Sequence, residues 1–279
     1  MRIFKNVAIE GLNKKPILTD IGYLENNKPK PIIIFLHGFK GFKDWGHFNF
    51  IMNFFIQQEF VFIKFNFSFN GGTIDQPLDF PDLEAFGNND YIKELNDVES
   101  VLNWINTNTL LPASEVNTQH IFLIGHSRGG GIAIIKASED TRIKKLVTWA
   151  AVSDFISRVS DIEEWKKNGV VYVENARTKQ KMPMYFNFVE TLLGNQERLN
   201  IEKCEKKLKI PHLIIHGTHD EAVHFSEAEN LKKWNPSANL FLIQKANHTF
   251  GISHPHLDNE ISFQAKSVLE KTLNFLKGN

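Results

Sequence analysis

Five short apolar runs, residues 32–35, 60–65, 121–124, 146–149 and 213–215, recur along the chain with helix-length segments between them. They are too continuous to have one wet face, so each reads as a strand covered on both sides, as in a parallel sheet. A sixth run covers 240–243. The clearest intervening helix is 89–106, where Ile92, Leu95, Val98, Leu102 and Ile105 repeat at three and four residues. Others are expected over 48–58, 130–139, 225–234 and 260–276. This alternation predicts an α/β fold with a doubly wound, mostly parallel sheet, whose functional residues gather at the carboxyl ends of the strands. Ahead of it, 2–9 and 17–24 flank a polar loop and read as an N-terminal hairpin.

The link between the run 121–124 and the helix at 130–139 is Gly125-His126-Ser127-Arg128-Gly129. A strand, a sharp G-x-S-x-G turn and a helix form a nucleophile elbow, in which the glycines let the backbone pass close and the serine hydroxyl stands above the sheet. A serine is a poor nucleophile until a base takes its proton and an acid orients that base. Asp220, in His216-Gly217-Thr218-His219-Asp220, follows the run 213–215. His248, in Ala246-Asn247-His248-Thr249-Phe250, follows the run 240–243. The order Ser127, Asp220, His248 is that of an α/β-hydrolase triad. Asp154 is a rival acid, and His254 and His256 are rival bases. The second requirement is a pair of donors for a developing oxyanion. The N–H of Arg128 and that of Phe39, in the loop Leu36-His37-Gly38-Phe39-Lys40-Gly41 after the run 32–35, are the candidates.

With 279 residues, 42% of them hydrophobic, the chain suits a single domain spanning 1–279. Its formal net charge is zero and it has no dense basic block, which argues against nucleic-acid or anionic-membrane partners. No run reaches the roughly 18 apolar residues of a membrane span. Residues 1–7 lack the apolar core of a secretory signal, and Cys204 has no second cysteine to pair with, so a soluble cytoplasmic protein is expected. His212, His216, His219, His224, His254 and His256 match no compact metal-site spacing. No metal and no cofactor are expected.

The segments His37-Gly38-Phe39, Gly125-His126-Ser127-Arg128-Gly129-Gly130, His216-Gly217-Thr218-His219-Asp220 and Asn247-His248-Thr249-Phe250 together resemble the α/β-hydrolase superfamily, over roughly residues 31–276. Within it the chain is similar to dienelactone-hydrolase-like, feruloyl-esterase-like and serine-peptidase-like hydrolases. Where related esterases carry an Asp-x-Arg-Gly-x-Gly-like stretch, it has Phe65-Asn66-Phe67-Ser68-Phe69-Asn70-Gly71-Gly72. The resemblance implies a serine hydrolase cleaving a carboxylic ester of modest size through an acyl-enzyme. Peptidase, amidase or thioesterase activity would use the same triad, and a non-catalytic ligand-binding protein on this fold is the remaining alternative. The partner is then a small ester or a short peptide.

Residues 153–208 break the strand–helix rhythm. They read as a helical cap inserted over Ser127, with helices near 162–167 and 184–193. Phe42, Trp45, Trp165 and Tyr185 are candidates for lining the substrate pocket, with Tyr172, Met184, Phe186 and Phe188 beside them; packing of the cap onto the core is the other reading. Arg158, Arg177 and Lys181 are candidate carboxylate receptors or plain surface charges. The Arg128 side chain either pairs with a carboxylate of the protein or meets an acidic substrate group.

Overall fold

The computed structural model describes residues 1–256 and 260–278. The chain begins with β1 (Arg2–Glu10) and β2 (Pro16–Tyr23), the expected antiparallel hairpin. It continues through β3 (Lys30–Leu36), α1 (Phe48–Gln57), β4 (Val61–Phe65), α2 (Leu83–Gly87), α3 (Tyr91–Thr107), β5 (Val116–His126), α4 (Arg128–Glu139) and β6 (Ile143–Trp149). Then come α5 (Ile162–Asn168), β7 (Val170–Glu174), β8 (Lys181–Tyr185), α6 (Asn187–Gly194) and α7 (Ile201–Lys207). The chain closes with β9 (His212–Gly217), α8 (Ser226–Trp234), β10 (Asn239–Ile243) and α9 (Phe263–Lys277).

Eight strands form one sheet in the order β1-β2-β4-β3-β5-β6-β9-β10. From β4 to β10 every pairing is parallel, and β2 alone runs against the other strands, antiparallel to both β4 and β1. Side chains of alternate residues enter opposite cores. On β3, Ile32, Ile34 and Leu36 join one apolar cluster while Ile33 and Phe35 join the other. Both faces are covered, which is why the apolar runs are continuous. Helix starts follow local chemistry: the Asp90 carboxylate accepts from the Lys93 N–H at 2.8 Å to open α3, and Ser262 Oγ accepts from the Ala265 N–H to open α9.

Between β6 and β9 the structure differs from the all-helical expectation. β7 and β8 pair antiparallel as a separate two-stranded sheet, so Met184 and Tyr185 are strand residues and α6 begins only at Asn187. The reason is local: Val170, Val171 and Val173 are β-branched, and Pro183 stands where a helix would lose a hydrogen bond.

Candidate active site

Ser127 sits between the end of β5 and the start of α4 with φ 57° and ψ −122°, a conformation that costs a non-glycine residue energy. Close approach on all sides enforces it. Its N–H donates to the Trp149 carbonyl at 2.9 Å, tying the turn to β6. A Cβ on Gly125 would lie 2.4 Å from the Gly129 carbonyl oxygen, and one on Gly129 would lie 2.5 Å from the Leu36 and His37 carbonyls. Ser127 makes no capping bond to α4, so its hydroxyl is not tied to the helix that it precedes. The positive end of that helix's dipole lies directly behind it.

Asp220 follows β9 and is 3% exposed. Its Oδ1 accepts from the N–H groups of Ala222 (2.9 Å) and Val223 (2.8 Å), and its Oδ2 lies 2.8 Å from His248 Nδ1. Burial alone would raise its pKa. The bonds from His216, His248 and the Val223 amide outweigh that and hold the carboxyl well below the usual range. The ring of His248, after β10, is therefore gripped at Nδ1, and His248 and Ser127 line the same two cavities. The rivals are engaged elsewhere. Asp154 accepts from the Ser157 N–H, His254 Nδ1 accepts from the Gly46 N–H at 2.9 Å, and the His256 ring packs on His47.

The loop after β3 passes against the nucleophile: a Cβ on Gly38 would stand 2.9 Å from Ser127 Cβ. Among the described residues, neither the Phe39 N–H nor the Arg128 N–H donates to a protein acceptor. His37 shapes this loop. Its ring is buried, with Nδ1 2.8 Å from the Gly38 carbonyl and Nε2 accepting from the Phe67 N–H, and burial pulls its pKa down to about 4. It therefore stays neutral, with the proton on Nδ1.

Two cavities meet at Ser127. The larger, about 700 Å³, runs under the 153–208 segment and is lined by Phe39, Tyr91, Arg128, Trp165, Met184 and Phe188 among others. The smaller, about 480 Å³, is walled by Trp45, Phe48, His126, Asn175, Arg177 and His254. Trp45, Trp165, Tyr172, Met184 and Phe188 thus face a cavity beside Ser127. Three candidates do not, the first being Phe186, which stands just before α6 and packs against the core. Phe42 is 1% exposed and packs edge-on against Phe80 and His254, backing the wall instead of forming it. Tyr185, on β8, turns to α2, where its hydroxyl donates to Glu84 at 2.6 Å and its ring covers Gly87.

Arg128 reaches into the larger cavity, yet its guanidinium is matched by the protein itself. Glu94 Oε1 lies 3.4 Å away, and the Phe39 ring lies 4.0 Å below the guanidinium carbon. Burial raises the Glu94 pKa and Arg128 opposes the rise. Arg158 pairs with Glu227, Arg177 pairs with Asp79 and Lys181 is exposed. The stretch 65–72 is framework: Asn66 Oδ1 accepts from the Lys43 N–H, and the Ser68 N–H donates to Asp97. Sequence reasoning passed over His126, whose Nε2 lies 3.0 Å from the His248 carbonyl, although it adjoins the nucleophile. It also passed over Tyr91 and Phe155, which stack at 3.8 Å in the cavity wall and carry no sequence signal.

A mostly parallel, doubly wound sheet with a G-x-S-x-G turn after its fifth strand is the α/β-hydrolase fold. The chain belongs to the BD-FAE family, whose model matches residues 20–235. Among solved structures it is similar to Est1E from Butyrivibrio proteoclasticus, at 17% identity over 99% of this chain and 98% of that one, with a TM-score of 0.72. It is also similar to the esterase domain of a Rhodothermus marinus protein, at 17% identity over 100% and 99% of the two chains, with a TM-score of 0.66. An uncharacterized 31.7 kDa protein from the traX-finO intergenic region of Escherichia coli is 25% identical over 75% of this chain and 70% of its own length. No helix among the described residues is long and apolar enough to cross a membrane.

Proposed function

We propose that the protein is a serine hydrolase that cleaves a carboxylic ester of modest size through an acyl-enzyme on Ser127. One observation carries this reading. A serine held at φ 57° shares two cavities with a histidine whose Nδ1 is bonded to a buried carboxylate that two backbone N–H groups also hold. His248 takes the Ser127 proton through Nε2 and the alkoxide adds to the ester carbonyl. The Phe39 and Arg128 N–H groups receive the oxyanion. His248 then protonates the departing alcohol and activates the water that releases the acid. Asp220 keeps the ring in the Nδ1–H tautomer and stabilises the imidazolium.

The two cavities take the two halves of the ester. The 153–208 segment acts as a cap within a single domain and selects what enters the larger one. The family membership and the likeness to a named esterase domain support ester chemistry. The lone Cys204, buried in α7, fits the cytoplasmic location that belongs to the same reading.

The test is a panel of esters, thioesters and aminoacyl anilides run on wild type and on Ser127→Ala, with fluorophosphonate labelling beside it. Ester turnover should fall by about 10⁴-fold or more in the variant and labelling should vanish. A variant retaining more than about a tenth of the activity removes Ser127 as nucleophile, and faster turnover of anilides than of esters moves the reading to an amidase.

A further inference from the structure

His216 stands at the end of β9, is fully buried, and takes no direct part in the proton transfers above. Its Nε2 lies 2.8 Å from the Val223 carbonyl and 3.2 Å from Asp220 Oδ2, the oxygen bonded to His248. Both neighbours are acceptors, so the nitrogen facing them carries the proton. Nδ1, buried without a partner, is then the bare lone pair of a neutral ring. A second link runs through the backbone. The Val223 N–H donates to Asp220 Oδ1 while the Val223 carbonyl receives His216, so one imidazole braces both edges of the carboxylate.

We propose that His216 is a positioning residue: its Nε2–H holds the Val223 carbonyl and, at the longer 3.2 Å contact, faces Oδ2, so that the Asp220 carboxylate keeps its place against His248 Nδ1. The proposal rests on the serine-hydrolase reading of the site. Oδ2 has two lone pairs, and with one turned to His216 the other is left for His248, while Oδ1 is held by the Ala222 and Val223 N–H groups. The polar Nε2–H edge facing Oδ2 also stabilises its negative charge. Replacing His216 with an apolar residue therefore leaves a more basic carboxylate facing the catalytic ring and favours its protonated form. The titratable groups facing this pair are His216 from β9, His248 from the loop after β10, and His126 from the end of β5, whose ring centroid is 4.8 Å from that of His248. Burial, chiefly, holds His126 near a pKa of about 3, so it stays neutral through the range of the experiment.

The experiment is the pH profile of kcat/KM for ester hydrolysis in wild type, His216→Phe, His216→Leu and His216→Gln. The Phe and Leu variants should lose about tenfold in kcat/KM, and the midpoint of their acid limb should move up by roughly half a unit or more. Gln, which can offer an N–H at the place of Nε2, should restore both. Two apolar fillers guard against one failing to fold. An acid limb that stays in place in the apolar variants overturns the proposal, because a merely structural role would lower activity without moving it. So does a Gln variant that behaves like Phe. Fluorophosphonate labelling of Ser127 in wild type reads the serine-hydrolase assignment separately.

Discussion

At Ser127 and its two glycines, backbone geometry and chemistry are the same problem. The serine adopts a costly φ because β5, the loop after β3 and α4 converge within van der Waals distance, and glycine is the residue that permits this. Gly129→Ala should therefore be far worse than an ordinary surface change. Its Cβ would meet two backbone carbonyl oxygens at 2.5 Å, and backbone cannot step aside as a side chain can. We expect a loss of at least about 2 kcal/mol of stability, together with most of the activity; a variant with wild-type urea midpoint and turnover would show that the turn is not close-packed. That Ser127, Asp220 and His248 stand at strand ends was legible in the sequence, because each follows a strand signal directly. Phe42 and Tyr185 were misplaced because an aromatic side chain carries no mark of whether it will face a cavity or a neighbouring helix.

Among the elements, β2, β4 and the loop after β3 are locked together by charges that the sequence scatters over several segments. Lys43 and Lys64 meet Asp20 and Asp44 in a closed square, with contacts of 2.9 Å to Asp20 and 2.5 Å to Asp44. Lys64 also donates to the Lys43 carbonyl at 2.9 Å. Three of these side chains are at most 1% exposed. The square lies at the base of the loop that carries Phe39 and Trp45. Removing one partner strands buried charge, so Lys64→Met should cost about 3–5 kcal/mol in denaturant unfolding. A cost below about 1 kcal/mol would mean that the remaining lysine satisfies both aspartates. Lys64, a charge inside an otherwise apolar strand, is the one mark of this square in the residue order, and it does not say which carboxylates will meet it. The β7–β8 pair escaped notice for a related reason: two five-residue strands are too short to show a period.

For the whole molecule, two buried groups pull the pH dependence of stability in opposite directions. His37 has a folded pKa of about 4, below its unfolded value, so the unfolded chain binds the extra proton and stability falls as pH drops from about 6.5 toward 4. Asp97 is raised to about 7, by burial first, against the bonds it accepts from Ser68 and Asn13. The folded state holds its proton longer, so stability rises as pH falls through 7 toward about 4. Where the windows overlap the two effects offset each other. Asp97→Asn should expose the histidine effect as a steeper loss of Tm on acidification, and His37→Asn should do the reverse. Parallel slopes in wild type and both variants would assign the pH response to other groups.

The sequence by itself determined the class of sheet, the order of its strands' partners in chemistry and the three residues at their carboxyl ends. Each of those depends on periodicity and adjacency, which are local. The tertiary structure alone decided that Glu94 matches Arg128, that His216 stands against Asp220, that two cavities flank Ser127 and that β7–β8 contributes to the wall of the larger one. Glu94 and Arg128 lie 34 residues apart and the larger cavity draws on residues from Phe39 to His248, and which of them touch is set by how the helices and the inserted segment pack on the sheet.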